Sequence, residues 1–204
     1  VGGLTFQLAK LFKSVVGVDN NEALVRHARV FQHHGQLEYE RVREGVLADT
    51  AFVRVDGGVD RSRVSFFLED ALSLSEEVTA LGPFDVVVVD GLLTRLTQPL
   101  DLVKVLPGLV KEGGVLLVSS SNDWDPKHTP RNSWLGGFKM NGEDMSSLFV
   151  MRHSLKKSFQ YIDGEDIAKL RRHHDRRFDL LVMETTAWRR VTPSTGAGAG
   201  AGSA

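Results

Sequence analysis

The 204-residue sequence contains no cysteine. That excludes disulfides, thiolate metal sites and a cysteine nucleophile. No apolar run approaches the roughly 20 residues that cross a bilayer, so no membrane association is expected. Net charge is −1, which leaves no overall field to recruit nucleic acid or an anionic membrane. The seven histidines offer no ligand spacing. His27, His33 and His34 lie on or just beyond a helix, and His173-His174 sit in a charged turn. No metal site is expected. No secretory leader is visible, and the expected location is cytoplasmic. With 42% apolar and 25% charged residues, the chain has enough apolar content to bury a core of its own.

The informative stretch stands at the start. Val1-Gly2-Gly3, the helical run Leu4 to Phe12, then Val15-Val16-Gly17-Val18-Asp19 reads as glycine loop, helix, and strand ending in an acid. That is the second half of a nucleotide-binding βαβ unit. Glycines let backbone approach a ligand, and a carboxylate ending the next strand accepts ribose hydroxyls. An adenosine-type cofactor is the expectation, with Gly2, Gly3 and Asp19 in contact. The strand that normally feeds such a loop, and the loop's first glycine, are not in the sequence. The chain therefore reads as an N-terminally truncated sheet with its first strand absent, and weak cofactor binding by this chain alone follows.

Alternation of strands and helices continues. Leu4, Leu8, Leu11 and Phe12 mark one helix face, and Leu24, His27, Ala28 and Phe31 another, capped by Asn20 or Asn21. Residues 35–62 read as an insertion holding a short hairpin. Val64–Leu68 is the third strand. Phe84–Asp90 is apolar on both parities, as a strand buried on both faces is. Pro99 opens a helix that Gly113-Gly114 ends, before a strand at Val115–Val118. The pattern predicts a doubly wound, parallel, Rossmann-like sheet. Residues 122–144 form a long polar loop. A helix near 144–158 and strands near 163–170 and 179–188 complete a domain over residues 1–190. The Gly/Ala-rich stretch at 191–204 reads as a disordered tail.

The order of strand ends, Asp19, Glu69-Asp70-Ala71 and Asp90-Gly91, resembles class I S-adenosylmethionine-dependent methyltransferases. The resemblance implies S-adenosylmethionine as cofactor. It places Asp19 at the ribose, Asp70 at the adenine amine and Asp90 by the methionine part, with Asn20, Ala71 and Gly91 beside them. A narrower likeness lies in Trp124, Thr129-Pro130-Arg131, Trp134-Leu135-Gly136-Gly137 and the final Trp188-Arg189-Arg190. These strings resemble the C-terminal methyltransferase domain of OvoA-type ovothiol biosynthesis proteins. The family implies methylation of a ring nitrogen of mercaptohistidine, and an upstream iron-dependent sulfoxide synthase domain in a longer parent chain.

That substrate needs a clamp for its carboxylate and a surface for its ring. Arg131 suits the first through bidentate geometry, against an equal expectation of a loop ion pair. Trp124 and Trp134 suit the second by stacking, or else anchor a small core. His128 is the candidate proton acceptor, a plain surface histidine being its alternative. The basic run Lys169 to Arg177 reads first as a solvated turn, since no aromatics interleave it. Three other functions stay open: a methyltransferase acting on RNA or protein, a non-catalytic scaffold of this fold, and, less favoured, a dehydrogenase.

Overall fold

A computed structural model of the chain describes residues 2–192. The expected tail lies, from residue 193 on, outside the described residues. The chain divides into two compact units, Val1–Ala80 with Leu170–Leu181, and Leu81–Lys169 with Val182–Ala204.

The first unit runs α1 (Gly3–Leu8), β1 (Val15–Asp19), α2 (Glu22–His34), β2 (Gln36–Glu44), β3 (Leu47–Arg54), β4 (Val64–Leu68) and α3 (Glu76–Thr79). β1 and β4 are parallel, in register from Val15↔Val64 to Asp19↔Leu68. α1 keeps half of its expected face, Leu8 and Phe12 packing against the core. Phe6 and Ala9 are buried, while Leu4 is exposed and Leu11 is 78% exposed. A helix this short is held by tertiary contact rather than by periodicity. Phe6 supplies that contact, meeting Phe31 and Phe66 edge-on at 5.1 and 5.5 Å.

In α2 the Asn21 side chain accepts the Leu24 N–H at 3.1 Å, the N-cap geometry. Gly35, at φ 71°, ends the helix. Val25, Ala28 and Phe31 face inward. Leu24 and His27, expected there, are exposed, because one residue rotates the face by about 100°. The insertion at 35–62 holds the antiparallel pair β2 and β3, longer than the short hairpin expected.

The second unit runs β5 (Phe84–Asp90), α4 (Pro99–Leu109), β6 (Val110–Ser120), β7 (Phe138–Met140), β8 (Glu143–Met145), α5 (Ser147–Leu155), β9 (Phe159–His174) and β10 (Arg177–Arg190), the tip of β9 and β10 being counted with the first unit. The sheet order is β5-β6-β10-β9. β5 and β6 are parallel, but β10 is antiparallel to β6. The expected all-parallel sheet is therefore a mixed, Rossmann-like one.

Gly113-Gly114 does not end α4, which stops at Leu109. The glycines lie where register jumps from Phe84↔Val110 to Val86↔Val115. A Cβ on Gly114 would stand 2.8 Å from the carbonyl oxygens of Asp85 and Lys111, so the irregularity requires glycine. Among the described residues β1 pairs only with β4, and β5 has only β6 beside it. Val86, Val87 and Val88 are accordingly half-buried rather than enclosed on both faces.

The Trp188-Arg189-Arg190 string belongs to the fold. Trp188 is 1% exposed and donates to Thr186 Oγ1 at 2.9 Å. Arg189 donates to the Gly113 carbonyl. Arg190 donates to the carbonyls of Pro107 and Ser158. Together they tie β10 to α4, β6 and the segment before β9.

Candidate functional site

In the first unit the two acids proposed for the cofactor close their loops alike. Asp19 Oδ1 accepts the Asn21 N–H at 2.8 Å. Asp70 Oδ1 accepts the Leu72 N–H at 2.9 Å. These are Asx turns, which fix a carboxylate to its own backbone. In each, Oδ2 has no partner among the described residues. Glu69, beside Asp70, is spent on the Ser75 N–H and hydroxyl at 2.8 and 2.5 Å. Asp19 and Asp70 sit on neighbouring strand ends, joined by the Glu69 N–H to the Asp19 carbonyl at 3.1 Å. Asn20 is exposed and Ala71 half-buried beside them.

A cleft of about 140 Å³ is lined by Gly2, Thr5, Gly17, Asp19 and Phe66 among others. Ligand pockets usually exceed about 300 Å³, so this one takes part of a ligand. Cβ atoms on Gly2 and Gly17 would stand 2.6 and 2.8 Å from the Phe66 ring. The missing side chains there admit a phenyl ring. Gly3 has open space around its Cβ position. Asp19 lines this cleft beside Phe66, and Asp70 does not.

In the second unit, Asp90 ends β5 and its Oδ2 accepts from Lys169 Nζ at 2.8 Å. Gly91, at φ 64°, donates its N–H to the Ser119 carbonyl at 2.8 Å. One row on, Thr185 donates to Ser119 Oγ at 3.0 Å. Asn122 is left-handed at φ 52°, a region asparagine tolerates better than most residues. Its N–H donates to Ser120 Oγ at 3.1 Å. Its side-chain amide donates to Glu184 Oε2 at 2.8 Å.

The loop after β6 carries the substrate candidates. Trp124 and Trp134 come together, with ring centroids 6.3 Å apart and planes at 23°. Both indole N–H groups are used inside the loop's own frame, to Ser147 Oγ at 3.0 Å and the Thr129 carbonyl at 2.8 Å. Buried Thr129 donates to the Leu96 carbonyl at 2.6 Å, and the Ser133 hydroxyl bonds Gln98. A Cβ on Gly136 would stand 2.2 Å from the Ser147 nitrogen, so the Gly-Gly pair brings the loop's backbone against the start of α5. Arg131 is exposed, 5.8 Å above the Trp134 ring, and has no carboxylate partner among the described residues. His128 is exposed and makes no side-chain hydrogen bond among them.

Glu184, Asn122 and Lys169 were not among the site candidates read from the sequence. Glu184 interrupts the apolar run Leu180-Leu181-Val182-Met183, which is the one available signal. Its role depends on the antiparallel register Glu184↔Ser120. In the basic run, Arg171 and His173 both meet Asp179, at 2.8 and 2.6 Å, and Arg172 pairs with Asp175. His173 first, then Arg171, hold the Asp179 carboxyl down at about 2 through hydrogen bonds.

No protein-family model matches the sequence, and no curated protein sequence matches it. Solved structures do match. The N-methyltransferase NodS from Bradyrhizobium japonicum aligns with TM-score 0.54 at 16% identity, over 94% of this chain and 81% of NodS. A SAM-dependent methyltransferase from Methanosarcina mazei aligns with TM-score 0.56 at 17% identity, over 91% and 85%. The [4+2]-cyclase SpnF aligns with TM-score 0.50 at 14% identity, over 87% and 67%. The chain has the mixed α/β, Rossmann-like fold of class I methyltransferases. Among the described residues no helix is long and apolar enough to cross a membrane.

Proposed function

We propose that this chain is a S-adenosylmethionine-dependent methyltransferase domain that methylates an imidazole ring nitrogen of mercaptohistidine. The observation that carries the reading is the loop at 122–137. Its Trp-Thr-Pro-Arg-Trp-Leu-Gly-Gly residues form an anchored wall with two stacked indoles and an arginine that has no carboxylate partner among the described residues. The fold alone does not decide chemistry, since SpnF is named a cyclase on the same scaffold.

The cofactor supplies an electrophilic methyl group on a sulfonium. Asp19 and Asp70 hold the ribose and the adenine amine through their free oxygens, and Gly3 leaves backbone accessible. On this reading Asp90 and Gly91 take the cofactor's amino-acid end. On the acceptor side, Arg131 holds the substrate carboxylate and the Trp124–Trp134 pair offers a flat surface for the ring. An imidazole nitrogen is a competent nucleophile when neutral, so the residues' task is to orient it and take up a proton. In the longer parent chain that this reading implies, an upstream iron-dependent sulfoxide synthase domain makes the thiol-bearing precursor.

The basic hairpin tip would favour RNA or protein as the methyl acceptor. Its Arg171 and Arg172, however, are engaged by Asp179 and Asp175, which lowers the charge left for a polyanion. The test is to supply S-adenosylmethionine and 5-mercaptohistidine to the chain and to its longer parent, with RNA and protein acceptors in parallel. Mass spectrometry should show one methyl gained by mercaptohistidine. Transfer only to RNA or protein overturns the reading, and no transfer by either polypeptide favours the scaffold.

A further inference from the structure

Two carboxylates stand at the same end of the β5-β6-β10 sheet, on its opposite faces because neighbouring residues of a strand alternate, and they also differ in pairing. Asp90 pairs in register with Ser119, and Ser119 with Thr185. Glu184 occupies the adjoining position, opposite Ser120. Strand spacing puts β5 and β10 about 10 Å apart at this end. The Asp90 charge is neutralised by Lys169 at 2.8 Å. Glu184, half-buried, has no cation among the described residues. Glutamates withdrawn from water are normally paired.

Glu184 is also held in place. Its Oε2 takes the Asn122 side-chain amide. Asn122 is itself fixed by a left-handed backbone and by Ser120 Oγ. Such a conformation persists where the surroundings over-determine it. The arrangement aims one oxygen at the amide and leaves Oε1 free. An amide donor is neutral, so the negative charge stays uncompensated.

We infer that Glu184 is the site's recognition carboxylate for a nitrogen ring: its free oxygen accepts the N–H of a substrate imidazole. This rests on the reading of an imidazole substrate given above. When the ring nitrogen takes the methyl group, the C–N bond forms as the methyl–sulfur bond breaks, and that electron pair stays on sulfur. The ring gains a positive charge and keeps a proton on its other nitrogen. Glu184 Oε1 stabilises that charge and then accepts the proton, a role His128 has no hydrogen-bonded frame to perform. Proton transfer to a positioned side chain contributes about 10²–10⁴-fold.

The experiment uses the chain itself and imidazole as probe, which requires no cofactor. Imidazole is titrated while the Asn122 side-chain amide resonance is followed by nuclear magnetic resonance. The resonance should shift saturably, and Glu184→Gln should weaken binding at least ten-fold while keeping the fold. Asp85→Asn, in a surface ion pair with Lys111, should change nothing. Asn122→Ala, which frees the carboxylate without removing it and is read by calorimetry because the amide probe is gone, should weaken binding less than Glu184→Gln. Unchanged imidazole affinity in Glu184→Gln, or an Asn122 amide that does not move, overturns the inference. Binding lost in Glu184→Gln together with no methyl transfer by wild type to mercaptohistidine would retain the site and overturn the proposed substrate.

Discussion

Asp19 and Asp70 stand on adjacent strand ends, and each binds the backbone N–H two residues ahead of it through Oδ1. The turn consumes one oxygen and presents the other. Asp19→Asn keeps an oxygen for the Asn21 N–H but loses the charge, whereas Asp19→Ala loses both. Both substitutions should weaken S-adenosylmethionine binding about ten- to a hundred-fold, the range for a charge-assisted hydrogen bond. Calorimetry measures the affinity, and circular dichroism separates the binding loss from any loosening of α2.

Arg131→Ala should raise the Michaelis constant for mercaptohistidine and leave cofactor affinity nearly unchanged. Arg131 stands over Trp134 with no carboxylate partner among the described residues. Losing a bidentate contact to a substrate carboxylate removes uniform binding, which shows in the Michaelis constant before turnover. The decarboxylated analogue is the control. A mutant that still prefers the carboxylate-bearing substrate as strongly as wild type would make Arg131 structural.

Gly136→Ala should destabilise the protein. Its Cβ would fall 2.2 Å from the Ser147 nitrogen and 2.5 Å from the Ser146 carbonyl carbon. Neither is a flexible side chain, so the loop or α5 must move. Overpacking of this kind costs about 1–3 kcal/mol, and about 2–4 °C of Tm accompanies each kcal/mol at this size. Gly57→Ala, with nothing within 4 Å, is the control. Equal melting temperatures for the two would contradict the close approach.

At the hairpin tip, the Asp179 carboxyl lies well below its ordinary 3.8, at about 2, chiefly through His173 and then Arg171. A depressed carboxyl stabilises the folded tip above its ordinary value. That contribution is lost as pH falls through the folded value. The tip should therefore stay intact down to about pH 4 and loosen between there and about pH 2. Titration of the Asp179 carboxyl resonance measures this, and His173→Ala should move its midpoint up.

Much of the fold was legible in residue order, because strand ends and caps are local signals. Asn21 as N-cap, Pro99 at the start of α4 and the apolar run Phe84–Asp90 need only their neighbours. Leu8 and Phe12 of the first helix face were read correctly, but Leu4 and Leu11 were not, because a six-residue helix has too few turns for periodicity and Phe6 is chosen by Phe31 and Phe66 from elsewhere in the chain. Gly113-Gly114 looked like a helix stop because a strand irregularity and a C-cap ask for the same residue. Glu184 depends on an antiparallel register between β6 and β10, which no local pattern encodes. The family-specific strings were visible, yet Arg189, Arg190 and Thr129 turn out to tie backbone segments together. The strings marked the architecture as much as the chemistry.

The loop at 122–137 is moored at Leu96, Gln98, Ser147 and Met145. Fixing a backbone residue costs about 1–2 kcal/mol of conformational entropy. A slack loop would subtract that cost from every binding event. Here it is already met when the protein folds. Whatever docks against this wall meets a surface whose shape precedes it, so encounter does not wait for a lid to close. Selectivity then resides in the free protein. Exchanging an exposed residue such as Arg131 changes one point of the surface, whereas cutting an anchor such as Thr129 blurs the whole surface at once.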